Sequence, residues 1–215
     1  MRNFVKYYFI LLPVLFVVFT FGLAMFPSQK TTEPPQPTPS ELYSEYVKQK
    51  LTEEVGSFIV SNYPKSKITP DSLVNACLKH NYNIVFALAQ GIQESSLGSA
   101  GLARRTNSVW NVGAWDSWTV DQIKKNGFAY PTQDHSIEPY ILLVKRRYLG
   151  EDKTHENLLV RYVIKGTNTR YASDPNYEQQ LKNLYNKIDR STNINELQEL
   201  YTLIQKYPIK TPRFY

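Results

Sequence analysis

The chain has 215 residues, 42% of them hydrophobic, a formal net charge of +6 and one cysteine. That length holds one ordinary domain with appendages, and the apolar content is enough for a core. Cys77 alone excludes an internal disulfide and a cysteine zinc site, and three histidines without ligand spacing give no metal signature.

No metal or organic cofactor is implied. The positive charge suits an anionic partner such as lipid headgroups or bacterial wall polymer. Long Lys/Arg runs are absent from the body, so nucleic acid is not indicated.

Arg2 and Lys6 precede an apolar stretch from Tyr7 to Phe26. A helix needs about 20 such residues to cross a bilayer, and Pro13 is tolerated within one. The charges at its N-terminal side orient the body outside the cytoplasm. A cleaved signal peptide is the alternative, with small residues at Gly22-Leu23-Ala24. The stretch exceeds the usual signal core of about 7–15 residues, which favours a single-pass anchor over secretion. Residues 27–40 hold five prolines and read as a linker stiffened toward polyproline II. At about 3.1 Å per residue it holds a domain roughly 40 Å from the membrane.

After the linker the apolar spacing is helical. Residues 41–62 carry Leu42, Tyr46, Leu51, Val55, Phe58 and Ile59 near a 3.6 period, with Ser40 before them and Pro64 beyond. Thr69-Pro70-Asp71 opens a helix that runs to about His80. Cys77 falls on an apolar run there and reads as a buried, inert thiol. A helix over 83–96 places Ile84, Val85, Leu88 and Ile92 on one side, with Gly98 as terminator. Further helices are expected over 119–126, 135–149, 155–165, 175–189 and 194–206. Strand signals are weak, and a short hairpin is expected between 107 and 131. The fold class is mainly α.

Glu94 stands near the end of an apolar helix, among alanine, glycine and serine. Small neighbours leave room for a ligand against the backbone. Partial desolvation raises a carboxyl's proton affinity, as does the helix C-terminus, and a glycosidic leaving oxygen requires such an acid. On the local pattern alone, an ordinary solvated helix-end glutamate is the better fit.

The wider run 86–113, FALAQGIQESSLGSAGLARRTNSVWNVG, resembles the glucosaminidases of glycoside hydrolase family 73. The likeness is carried by Ala89-Gln90, Glu94-Ser95, Gly98 and Ala100-Gly101-Leu102-Ala103, then by Asn107-Ser108-Val109-Trp110-Asn111-Val112. Ser136-Ile137 with Tyr140, and Arg170-Tyr171-Ala172-Ser173-Asp174-Pro175-Asn176-Tyr177, follow in family order. The resemblance covers roughly 70–190. It implies a lysozyme-like helical domain, here spanning 41–215, with a small, shortened hairpin lobe. It also implies hydrolysis of the β-1,4 bond after N-acetylglucosamine in peptidoglycan. Glu94 then takes the catalytic-acid position, and Tyr171 that of a tyrosine lining the cleft opposite it. Asp174 and Pro175 read as a helix start. Tyr177 reads as structural and is also kept among the substrate contacts, with Gln90, Ser95 and Asn107.

The family's hairpin often brings a second carboxylate, but only 14 residues separate Gly113 from Phe128. Asp116 is the better candidate there and Asp121 the other; Asp116 serves equally well as a turn cap. Without a second carboxylate, either a held water or the substrate's own acetamide attacks, with Tyr171 and Asn107 as orienting groups. Trp110, Trp115 and Trp118 crowd one window. Aromatic faces stack on sugars, but Trp110 stands for a structural phenylalanine, which leaves Trp115 the best stacking candidate. Two rival functions remain: a lytic transglycosylase, which needs one glutamate and no water, and an inactive, membrane-anchored wall-binding module.

Overall fold

The computed structural model describes residues 36–111, 118–150 and 153–208. The expected anchor, 1–26, and most of the linker lie outside them. Among the described residues no helix is long and apolar enough to cross a membrane. From Thr38 onward the chain forms one helical unit. Its elements are α1 (Pro39–Asn62), α2 (Pro70–Lys79), α3 (Ile84–Ser95), α4 (Ala103–Thr106), α5 (Val120–Lys125), α6 (Ile137–Val144), α7 (His155–Val160), α8 (Tyr177–Ser191) and α9 (Ile194–Lys206).

Local chemistry explains most starts. Thr38 and Glu41 make a reciprocal capping box around Pro39, so α1 begins earlier than Ser40 suggests. Thr69 caps α2 with Pro70 in its first turn, and Asn83 accepts the Phe86 N–H at 2.7 Å to cap α3. Residues Ile84–Gly91 are all buried, so α3 is enclosed on every side and forms the centre of the domain. Helix α9, which shows no motif, closes the N-terminus of α3. Gln198 Oε1 accepts the Ile84 N–H at 2.9 Å, satisfying a donor left without a partner inside the helix, while its amide donates to Tyr82 O at 2.8 Å. The Cys77 thiol is fully buried, and burial pushes its ionisation far above the usual thiol range.

Three expectations change. The stretch expected as one helix over 135–149 divides into a 3₁₀ turn (Asp134–Ser136), α6 and a π-helical turn (Lys145–Leu149). Tyr148 and Leu149 in that wider turn are buried, and Gly150, at φ +66°, ends it. The helix expected to reach 165 stops at Val160. Arg161 is extended, and Glu178 Oε1 takes the Tyr162 N–H at 3.1 Å while its other oxygen pairs with Arg170. Last, among the described residues of 107–131 no strand is paired, and a Thr119–Gln122 capping box starts α5. The antiparallel pairing among the described residues lies later: Val163 bridges Arg170, and Tyr171 N donates to Tyr162 O at 2.7 Å.

His155 opens α7 against Phe86 and Tyr185, with ring centroids at 5.8 and 5.3 Å. Burial lowers its proton affinity, and the nearby Glu156 offsets this only in part. A depressed folded-state value means that the stability is complete above the unfolded histidine's value, about 6.5, and is lost as pH falls below it. Urea unfolding at pH 7.5 and 5.5 is expected to show a larger loss for the wild type than for His155→Gln. Equal losses would remove His155 as a source of acid sensitivity.

Candidate active site

Helix α3 delivers Glu94 in its last turn, and the segment after α4 fixes where that turn sits. Ser95 Oγ donates to Val109 O at 2.6 Å and accepts the Gly98 N–H at 2.7 Å. Asn111 Nδ2 donates to the backbone oxygen of Glu94 at 3.2 Å, satisfying a carbonyl at the open end of the helix. Trp110 is fully buried, stacks on Tyr140 at 4.6 Å and donates its indole N–H to Ala87 O at 2.9 Å. Gly91 permits that approach, because a Cβ there would stand 3.1 Å from the indole nitrogen. The room left by Gly91 is therefore filled by Trp110 and Leu97 rather than by a ligand. Past the helix, Gly98 at φ +84° lies under the Gln133 amide, which donates to Gly98 O at 2.9 Å.

Glu94 is half-buried. The Tyr177 hydroxyl, from the first residue of α8, donates to its Oε1 at 2.5 Å. Tyr171 leaves the Val163–Arg170 pairing, stacks on Tyr162 at 4.3 Å, and has its hydroxyl within hydrogen-bonding reach of Glu94 and Gln90. Burial raises both phenols well above their ordinary range, and the Glu94 charge adds to this. Both therefore stay protonated at any physiological pH and serve as donors.

The remaining candidates divide by position. Gln90 is fully buried, with its amide bonded to Tyr140, Tyr162 and Tyr177, so it orients neighbours instead of touching a sugar. Trp110, for which the sequence favours the core over a sugar platform, is in the core, and its place among the substrate contacts falls away. Ser95 is buried and spent on backbone groups. Asn107, at φ +56°, donates to Tyr130 O at 2.9 Å and Pro131 O at 3.1 Å, and so ties two loops together. Tyr177 lies against the carboxyl. Asp174 does not cap α8 from the expected start; α8 begins at Tyr177, and Asp174 accepts from Asn176 N at 2.8 Å. Asp116 and Trp115 lie outside the described residues. Asp121 is exposed on α5. Trp118 lies 6.1 Å from Phe128 in a tilted pair.

Sequence reasoning missed Tyr82, Tyr162 and Gln133. Tyrosine at a buried position is the only local signal the first two give. Gln133 carries none, since its partners Lys67 and Gly98 are far away in the chain. Among the described residues no group of three or more His, Cys, Asp or Glu could hold a metal ion.

Comparison with curated proteins finds no match. The family described as mannosyl-glycoprotein endo-beta-N-acetylglucosaminidase, the glucosaminidase family, matches residues 71–190, more than half of the chain. That span runs from the start of α2 to the end of α8 and contains Glu94 with both of its tyrosines. Membership supports a glycoside hydrolase acting on a glycan. With the helical architecture and the matched span in agreement, the chain belongs to the glucosaminidase family.

Proposed function

We propose that the protein is an endo-acting N-acetylglucosaminidase that hydrolyses the β-1,4 bond after N-acetylglucosamine in peptidoglycan, with Glu94 protonating the leaving oxygen. The observation that carries this reading is the half-buried Glu94 carboxyl held at 2.5 Å by the Tyr177 hydroxyl, at the end of an otherwise enclosed helix. A general acid must keep one geometry while a sugar binds and leaves, and this contact fixes it. The two tyrosines supply donors that never ionise in the working range.

The attacking group is either a water or the 2-acetamido oxygen of the substrate. Glu178, beside Tyr177 in the chain, is not the partner carboxylate, because it is committed to the Tyr162 N–H and to Arg170. Asp116 is the remaining candidate for a base. Digestion of purified peptidoglycan followed by mass spectrometry tests the reading. Fragments ending in reducing N-acetylglucosamine are expected. Fragments ending in 1,6-anhydro-muramic acid would replace hydrolysis by transglycosylation, and intact wall with retained binding would make the domain a binding module.

A further inference from the structure

Gln90 and Glu94 lie one turn apart on the same face of α3. The Gln90 amide is the meeting point of tyrosines from α6, from the paired segment and from α8. Its Oε1 accepts the Tyr140 hydroxyl at 2.7 Å and the Tyr162 hydroxyl at 3.1 Å. Its Nε2 donates to the Tyr177 hydroxyl at 3.3 Å, which in turn donates to Glu94 Oε1. Tyr82 and Tyr140 join their hydroxyls at 2.8 Å.

Proton counting fixes the direction of this chain. A hydroxyl has one hydrogen to give. Tyr140 gives its hydrogen to Gln90, so Tyr82 must be the donor to Tyr140. Tyr177 accepts from Gln90, so its single hydrogen is directed at Glu94. With the amide turned over, its oxygen would face Tyr177 and compete with Glu94 for that hydrogen. A separation of 2.5 Å is the length of a hydroxyl donated to a carboxylate, which agrees with the first orientation. Tyr140 and Tyr162 hold the amide in it.

We infer that Gln90 is a positioning residue for the acid: its amide, oriented by Tyr140 and Tyr162, commits the Tyr177 hydroxyl to Glu94. The catalytic part of this inference rests on the proposed role of Glu94. A donated hydrogen bond favours the ionised carboxyl, so the relay sets both where the carboxyl points and how readily it releases its proton. Among the described residues the ionisable neighbours of the Glu94 carboxyl include Tyr171 and Tyr177.

The test is a ¹³C NMR titration of the Glu94 carboxyl in protein labelled at glutamate, with no substrate present. Tyr177→Phe is expected to move the midpoint to higher pH by about half a unit or more, the worth of one hydrogen bond. Gln90→Met is expected to move it the same way. The double variant is expected to move it no further than Tyr177→Phe alone, since Gln90 acts through Tyr177. A wild-type midpoint in folded Gln90→Met, or additive shifts in the double variant, would overturn the inference. Should Gln90→Met fail to fold, Tyr140→Phe keeps the ring and frees one side of the amide. A smaller shift in the same direction is then expected, and none would overturn the inference. In turnover, Gln90→Met is expected to lose about tenfold in kcat with KM within twofold. Because the titration needs no cleavage, shifts in a protein that leaves wall intact would sink the hydrolase reading alone. Unmoved midpoints in an active enzyme would sink the relay alone.

Discussion

Glu94→Gln is expected to lower the rate of peptidoglycan clearing by about 10³-fold while leaving the thermal transition close to that of the wild type. The substitution keeps the side chain's shape and its acceptor oxygen, so the Tyr177 hydroxyl still has a partner. It removes only the transferable proton. Positioned general acids contribute about 10²–10⁴ to rate, and a bond with an alkoxide leaving group depends on one heavily. Turbidity of wall suspensions, followed beside circular dichroism melts, reads both quantities. Equal clearing by mutant and wild type would dismiss Glu94 as the acid. Undetectable clearing by both, with wall binding intact, would favour a binding module.

Trp110→Ala is expected to cost about 4 kcal/mol, within the range of about 3–5 for truncating a buried aromatic ring. A domain holds about 5–15 kcal/mol in all, so the variant should unfold at much lower urea. The loss has three sources. The ring is fully buried and stacked on Tyr140, its N–H satisfies Ala87 O, and its edge fills the space over Gly91. Trp110→Phe keeps the stack and loses the N–H, so it should cost much less. The same pair of variants separates core from sugar platform. A platform residue would leave the urea midpoint in place and raise KM. A change under about 1 kcal/mol in Trp110→Ala would refute the core assignment.

The helices were readable because their signals are local. Thr69-Pro70 and Asn83 announce starts with their own side chains, and the structure honours both within a residue. The Glu94–Tyr171 association was readable only through the family pattern, because the two residues are 77 positions apart in the chain and no periodicity links them. The contribution of Tyr177 was hidden for the same reason: its backbone starts α8, while its hydroxyl is used on α3. The errors have physical causes as well. Residues 155–165 look helical throughout, yet the Tyr162 N–H is taken by Glu178 and the turn is broken there. Small residues at 91 and 95 read as space for a ligand, whereas Trp110 and Val109 occupy or bind them. Small residues mark close approach, and sequence does not say by what.

The contact between Glu94 and Tyr177 joins residues 83 positions apart. Contacts of that span form after local helices, because the long intervening chain must first give up its freedom. A polypeptide that ends before residue 162 carries the glutamate with neither of its tyrosines. The carboxyl–hydroxyl contact therefore forms only with the last third of the domain, and partial products of synthesis or proteolysis would hold Glu94 without the tyrosine that fixes its orientation.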